Sequence, residues 1–165
     1  MGVADASAFS ACSSVKLEDI VISLENSTVP FKDIYITKAV HREVVVSGKA
    51  KPGEKEVTQG IKNRWIKVLE VNEREPYALL LGEGETIALA KERQATLVIM
   101  DDRKGHILAK ALGITVIGTL GVILLAYKLD KISRLKNELD NLRANGFWFS
   151  DRLYKELIKC EFDHK

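Results

Sequence analysis

Cysteine, histidine and proline are scarce in this chain, and each scarcity removes a class of explanation. Two cysteines (Cys12 and Cys160) cannot build a disulfide scaffold. Three histidines (His41, His106 and His164) stand at no ligand-like spacing to one another or to the cysteines, which argues against a zinc site. Three prolines, no internal repeat and no low-complexity tract leave nothing to divide the chain, so a single domain over residues 1–165 is expected. An excess of one charge is missing too: 25 Lys and Arg against 23 Asp and Glu give a net +2, so no broad basic surface exists to coat a polyanion. Any nucleic-acid contact must be local. The N-terminus has neither the basic region nor the apolar run of a secretory signal. Only residues 111–127 form a long uncharged run, at the short limit for crossing a bilayer and broken by Gly113, Gly118 and Gly121. It reads better as a buried strand over 114–117 that turns through Gly118 into an apolar helix from Thr119. The expectation is a soluble, cytoplasmic protein with no membrane contact.

What the chain does have is 46% hydrophobic residues arranged as short β-rich runs alternating with helical patterns. Strands are expected over 2–4, 33–37, 65–71, 96–100 and 114–117. Helices are expected from about Ser7 into the twenties, through Val46, and over 55–62, 82–94, 104–112, 133–144 and 150–159, with Asn145-Gly146 stopping the penultimate helix. The unbroken Leu97-Val98-Ile99-Met100 run suits a strand covered on both faces. Strands alternating with helices imply right-handed βαβ units, and hence a three-layer α/β/α sandwich around a mostly parallel sheet.

In such a sheet ligands bind beyond the carboxyl ends of the strands. Asp5 closes the first strand, and Asp101 and Asp102 close the apolar run at 96–100. Two more acids have apolar helical neighbours. Glu43 lies among Ala39, Val40, Val44, Val45 and Val46, and Glu85 shares a face with Leu81, Ala88 and Leu89, so both are expected to point inward. Each acid alone has a structural explanation. Asp102 can cap a helix, Glu85 suits a first helical turn, Asp5 can cap or end a strand, and Glu43 can pair with Lys38 or with Arg42, although Arg42 as its sequence neighbour points elsewhere on the helix. As a group they are harder to dismiss. Two carboxylates about 4 Å apart repel by about 4 kcal/mol at an effective dielectric near 20, so a cluster of four requires protons or a cation. Oxygen is the only plentiful ligand type, which selects a hard cation such as Mg2+ or Mn2+ and, with it, phosphodiester hydrolysis.

These segments resemble the PIN-domain nucleases, and more closely the small prokaryotic PIN-like proteins related to VapC-type toxins, over nearly the whole chain. Val3-Ala4-Asp5-Ala6-Ser7 is similar to the family's first strand, which ends in an aspartate followed two residues later by Ser or Thr. Ala39-Val40-His41-Arg42-Glu43-Val44-Val45 resembles the helix carrying the family's glutamate. Gly82-Glu83-Gly84-Glu85-Thr86-Ile87-Ala88-Leu89-Ala90 resembles the helix bearing the third acid, and residues 97–103 the strand that delivers the fourth. Gly118-Thr119-Leu120-Gly121-Val122 and the stretch 146–151 are similar to the PIN-like subgroup. The resemblance implies a metal pocket of Asp5, Glu43 and Glu85 completed by Asp102 or Asp101, with Asp102 preferred, and these acids as catalytic residues of a divalent-metal-dependent endoribonuclease. It also implies a supporting Ser7, a homodimer and an antitoxin protein as partner. Two departures stand out: Glu85 replaces the more usual Asp, and Met100 replaces the Thr that usually precedes the fourth acid. Arg103, Lys104 and His106 follow the acidic pair and are candidates for gripping RNA phosphates at its rim. A non-catalytic PIN-like adaptor for RNA or protein is the competing expectation. His41, Trp65, Phe147 and Trp148 read as packing or interface residues rather than as RNA contacts. The apolar helix from Thr119 has more hydrophobic surface than one sheet face requires, which suggests a dimer contact.

Overall fold

A computed structural model describes residues 2–4, 34–47, 53–72 and 81–163. Within them the chain runs β1 (Gly2–Ala4), β2 (Ile34–Thr37), α1 (Lys38–His41) continuing as a π-helical turn (Arg42–Val46), α2 (Glu54–Lys62), β3 (Ile66–Leu69), α3 (Leu81–Glu92), β4 (Leu97–Ile99), α4 (Arg103–Ala111), β5 (Val116–Ile117), α5 (Thr119–Lys128), α6 (Leu135–Ala144) and α7 (Asp151–Asp163). The expected helix from Ser7 lies outside the described residues.

The strands form one sheet in the order β3-β2-β1-β4-β5, and every pairing is parallel. Side chains alternate between two apolar layers, as the period of a strand requires. Ala4, Ile34, Ile36, Ile66, Ile99 and Ile117 face a layer built with Val40, Val44, Val57 and the apolar sides of α5, α6 and α7. Val3, Tyr35, Val98, Met100 and Val116 face the opposite layer, made with Ile87, Leu89 and Ala90 of α3 and Ala109 of α4. The three-layer α/β/α sandwich is therefore present, with helices on both faces of a parallel sheet.

Local chemistry sets the element ends. Thr37 is fully buried at the end of β2 and accepts a hydrogen bond from the Val40 amide at 3.2 Å, capping α1. Gly146 takes φ +86°, and the amides of Gly146 and Phe147 close back on Arg143 and Leu142, so Asn145-Gly146 stops α6 as expected. The α6–α7 pair is stapled at both ends. Arg143 lies over the rings of Phe149 and Tyr154 at 4.7 and 4.4 Å and donates to Asp151 at 2.9 Å. At the other end Glu161 accepts from the Lys136 amide at 3.0 Å.

Helix α5 has no exposed large apolar residue; Val122, Ile123, Ala126 and Tyr127 are buried, and Leu120, Leu124, Leu125 and Leu129 pack against the same layer. Its apolar excess is thus covered from within the chain by α6 and α7. Among the described residues no helix is long and apolar enough to cross a membrane.

Candidate acidic site at the strand ends

Strand order 3-2-1-4-5 makes the gap between the carboxyl ends of β1 and β4 the topological switch point of this sheet. Ala4, the last residue of β1, is in register with Ile99, the last of β4. The acids that follow these two strands in sequence are Asp5 on one side and Asp101 and Asp102 on the other. Asp5 and Ser7 lie outside the described residues.

Asp101 and Asp102 are both half-buried and turn to different helices. Asp101 reaches the start of α5: its Oδ1 accepts from the Thr119 amide at 2.8 Å and its Oδ2 from the Thr119 hydroxyl at 2.5 Å. A carboxylate at a helix N-terminus is favoured both by these donors and by the helix dipole. Asp102 caps α4, its Oδ2 accepting from the Gly105 amide at 2.6 Å, so the capping role considered for it is real. His106, one turn into α4, places Nε2 2.5 Å from the Met100 carbonyl; a carbonyl only accepts, so Nε2 carries the proton and donates. Three consecutive residues, Met100 to Asp102, are thereby each held by a donor from α4 or α5.

Glu85 is half-buried on α3, next to the fully buried Thr86 and Ile87, and α3 packs across β1, β2 and β4. Its inward disposition holds in part. Thr86 keeps its hydroxyl oxygen buried, with no hydrogen-bond partner among the described residues.

Glu43 differs from expectation: it is exposed rather than enclosed. The inward reading assumed a regular α-helix, but the backbone shifts at Arg42 to π geometry, closed by a Ser47 amide to Arg42 carbonyl bond of 2.8 Å. Residues of a wider turn advance by a smaller angle, and the buried stripe runs through Val40 and Val44 while Val46 is 56% exposed. Glu43 therefore stands beside the apolar stripe, not within it.

Arg103 and Lys104, the first two residues of α4, are exposed. Lys38 pairs with Glu70 at 2.8 Å, which leaves the suggested pairing of Lys38 with Glu43 unsupported. Trp148 is 85% exposed and so is not a core residue, whereas Phe147 packs against the α5–α7 layer and Trp65 is half-buried.

Among the described residues no three His, Cys, Asp or Glu side chains form a group that could hold a metal ion. The donor chemistry nevertheless fits a hard divalent cation, because Glu85 and Asp102 offer carboxylate oxygens in half-buried positions, and the one imidazole beside Asp102 among the described residues, His106, has its Nε2 engaged by the Met100 carbonyl. Thr119 is not expected from sequence as a partner of the acidic pair, and His106, expected at the phosphate rim, instead holds the Met100 carbonyl. The signal for Thr119 lay in Gly118-Thr119 directly after a strand, a phosphate-cradle-like turn in which a carboxylate takes the anion's place.

The fold and the acids that follow its strands define an α/β protein of the kind that binds its ligand beyond the carboxyl ends of a parallel sheet. A family model described as the PIN domain matches residues 2–161, and the chain belongs to the PIN-domain family. A PilT N-terminus domain protein from the hyperthermophilic archaeon Sulfolobus solfataricus P2 has a similar fold, with a TM-score of 0.55 and 24% identity over 81% of this chain and 96% of that one. No curated protein matches the chain. The PIN domain is in general a nuclease fold that uses divalent metal ions.

Proposed function

We propose that this PIN-domain protein is a divalent-metal-dependent endoribonuclease, with Asp5, Glu43, Glu85 and Asp102 as its catalytic and metal-holding acids. The observation that carries the reading is the register of β1 with β4, which makes neighbours of the two strand ends that Asp5 and the Asp101-Asp102 pair follow, under a helix that bears Glu85. Carboxylates gathered there would repel one another strongly unless a cation neutralised them. When bound there, Mg2+ or Mn2+ supplies charge neutralisation for a phosphodiester and lowers the pKa of an attacking water. The chain's own part is to hold the acids in place. Glu85 and Asp102 sit on packed elements, and Glu43, at the exposed π turn, stands where RNA can reach it. Arg103 and Lys104 extend from the same α4 start as Asp102 and meet substrate phosphates, with Ser7 supporting the pocket. A homodimer and an antitoxin protein belong to the same proposal and are supported by the resemblance to the VapC-related subgroup alone.

A second reading, a non-catalytic RNA or protein adaptor, is favoured by the exposure of Glu43 and by the capping duty of Asp102. Cleavage of a structured RNA with added Mg2+ or Mn2+ separates the two. The nuclease reading expects metal-dependent cleavage that Asp5→Asn abolishes; full metal-dependent cleavage by Asp5→Asn contradicts the assigned site.

A further inference from the structure

The two adjacent acids after β4 serve opposite layers of the molecule. Val98 and Met100 point into the layer under α3 and α4, while Ile99 points into the layer of α5. Asp101 continues on the side of Ile99 and meets α5. Asp102 stays with α4, which packs against the α3 helix bearing Glu85.

We propose that Asp101 is not a metal ligand but half of a clamp, formed with Gly118 and Thr119, that positions Asp102 for the reaction. This rests on the nuclease reading, and within it assigns the two acids different work. Both oxygens of Asp101 are matched to the two donors of one residue, 18 positions further along the chain. The approach is so close that a Cβ on Gly118 would come within 2.8 Å of Asp101 Oδ1, so only glycine leaves room for it. On the other side, the His106 ring holds the carbonyl of Met100, fixing the peptide that leads into Asp101. With its predecessor tied to α5 and its own Oδ2 on α4, Asp102 has little freedom to swing. Thr119 also supplies the hydroxyl donor that Met100 cannot supply from within the strand. Thr119 and Asp101 are positioning residues; neither is asked to touch substrate.

The test combines Mn2+ binding to the full chain, followed by electron paramagnetic resonance of the free ion, with thermal unfolding in the absence of metal. The variants are Asp101→Asn, Thr119→Val, Thr119→Ser, the Asp101→Asn/Thr119→Val double and Asp102→Asn. Asparagine caps helices as well as aspartate, so Asp102→Asn keeps its fold and is expected to lose Mn2+ binding. Asp101→Asn and Thr119→Val are expected to melt lower and to weaken Mn2+ binding by about tenfold to a hundredfold without abolishing it, the range seen when the partners of metal ligands are removed. The double variant is expected to be no worse than the more severe single one, and Thr119→Ser, which keeps both donors, to restore affinity. Should Asp101→Asn fail to fold, Thr119→Val and Thr119→Ser carry the comparison unaided. Loss of Mn2+ binding in Asp101→Asn as complete as in Asp102→Asn makes Asp101 a ligand and overturns the clamp. So does a lower melting temperature with Mn2+ affinity unchanged, since the contact is then structural only. A wild-type chain that binds no Mn2+ overturns the nuclease reading itself, a pattern distinct from both.

Discussion

The carboxyl ends of β2 and β4 treat their acids in opposite ways. After β4 the acids are woven into the architecture: Asp101 is tied to α5 and Asp102 to α4, both half-buried. After β2 the architecture is looked after by Thr37, which caps α1 from a fully buried position, and Glu43 is set out on an exposed π turn six residues later. A carboxylate beyond a strand end can therefore be there for folding, for chemistry or for both, and burial and hydrogen bonding separate the cases better than position does. Substitutions after β4 should therefore disturb stability and function together, and a substitution at Glu43 function alone.

The largest expected effect lies at the exposed end. Glu43→Gln should reduce metal-dependent RNA cleavage by about a hundredfold or more, while the unfolding midpoint in urea moves by no more than about 0.5 kcal/mol equivalent, as for other exposed surface changes. A matching loss of stability would show that Glu43, too, is held by the architecture. Next is Gly118→Ala, which forces a methyl against the Asp101 carboxylate and should cost about 1–3 kcal/mol in urea unfolding, with cleavage falling as Asp102 shifts. Gly105→Ala drives a methyl into Met100 Sδ and should cost a similar amount, since Met100 is fully enclosed. Thr37→Val removes the cap of α1 and should cost about 1 kcal/mol. Cleavage should fall only in proportion to unfolding, because Glu43 does not rely on that cap for burial.

The smallest effects belong to α6, which packs against α5 and α7. Burial pushes the Glu138 carboxyl above its ordinary range, with a weaker opposing pull from Asn141. A carboxyl raised by folding favours the protonated form, so it destabilises the native chain as pH rises through the unfolded value. Glu138→Gln should remove that slope and raise the melting temperature slightly at neutral pH relative to pH 4. Asp140 is the reverse. Hydrogen bonds from Lys136 and then Tyr154 hold its carboxyl below the usual range. Its small contribution is present above the unfolded value and fades as pH falls through the folded one. Melting curves of Tyr154→Phe against pH should show a weaker loss on acidification than wild type.

Much of the fold was legible because period and punctuation agreed. The Leu97 to Met100 run, the Gly118 turn into an apolar helix and the Asn145-Gly146 stop all appear where their residue types require, and α2, α3 and α4 fall within two residues of the expected bounds at each end. The candidate site was legible only in outline. Asp101 and Asp102 could be placed at a strand end, but which layer each faces depends on the parity of β4 and on a contact with Thr119 across 18 residues, and no local pattern encodes that. Glu43 was misplaced because a single π turn changes which residues share a face, and nothing in Arg42-Glu43-Val44-Val45-Val46 announces the wider turn. Trp148 is exposed although its neighbours Phe147 and Phe149 pack inward, since the segment before α7 is irregular and has no period to read.

In the proposed nuclease, acids from separate stretches of chain share one divalent ion. Isothermal titration of Mn2+ into the full chain and into Asp5→Asn and Glu85→Gln is the decisive measurement. Saturable binding in wild type that each single substitution removes is the predicted result; unchanged Mn2+ affinity in either variant would contradict it.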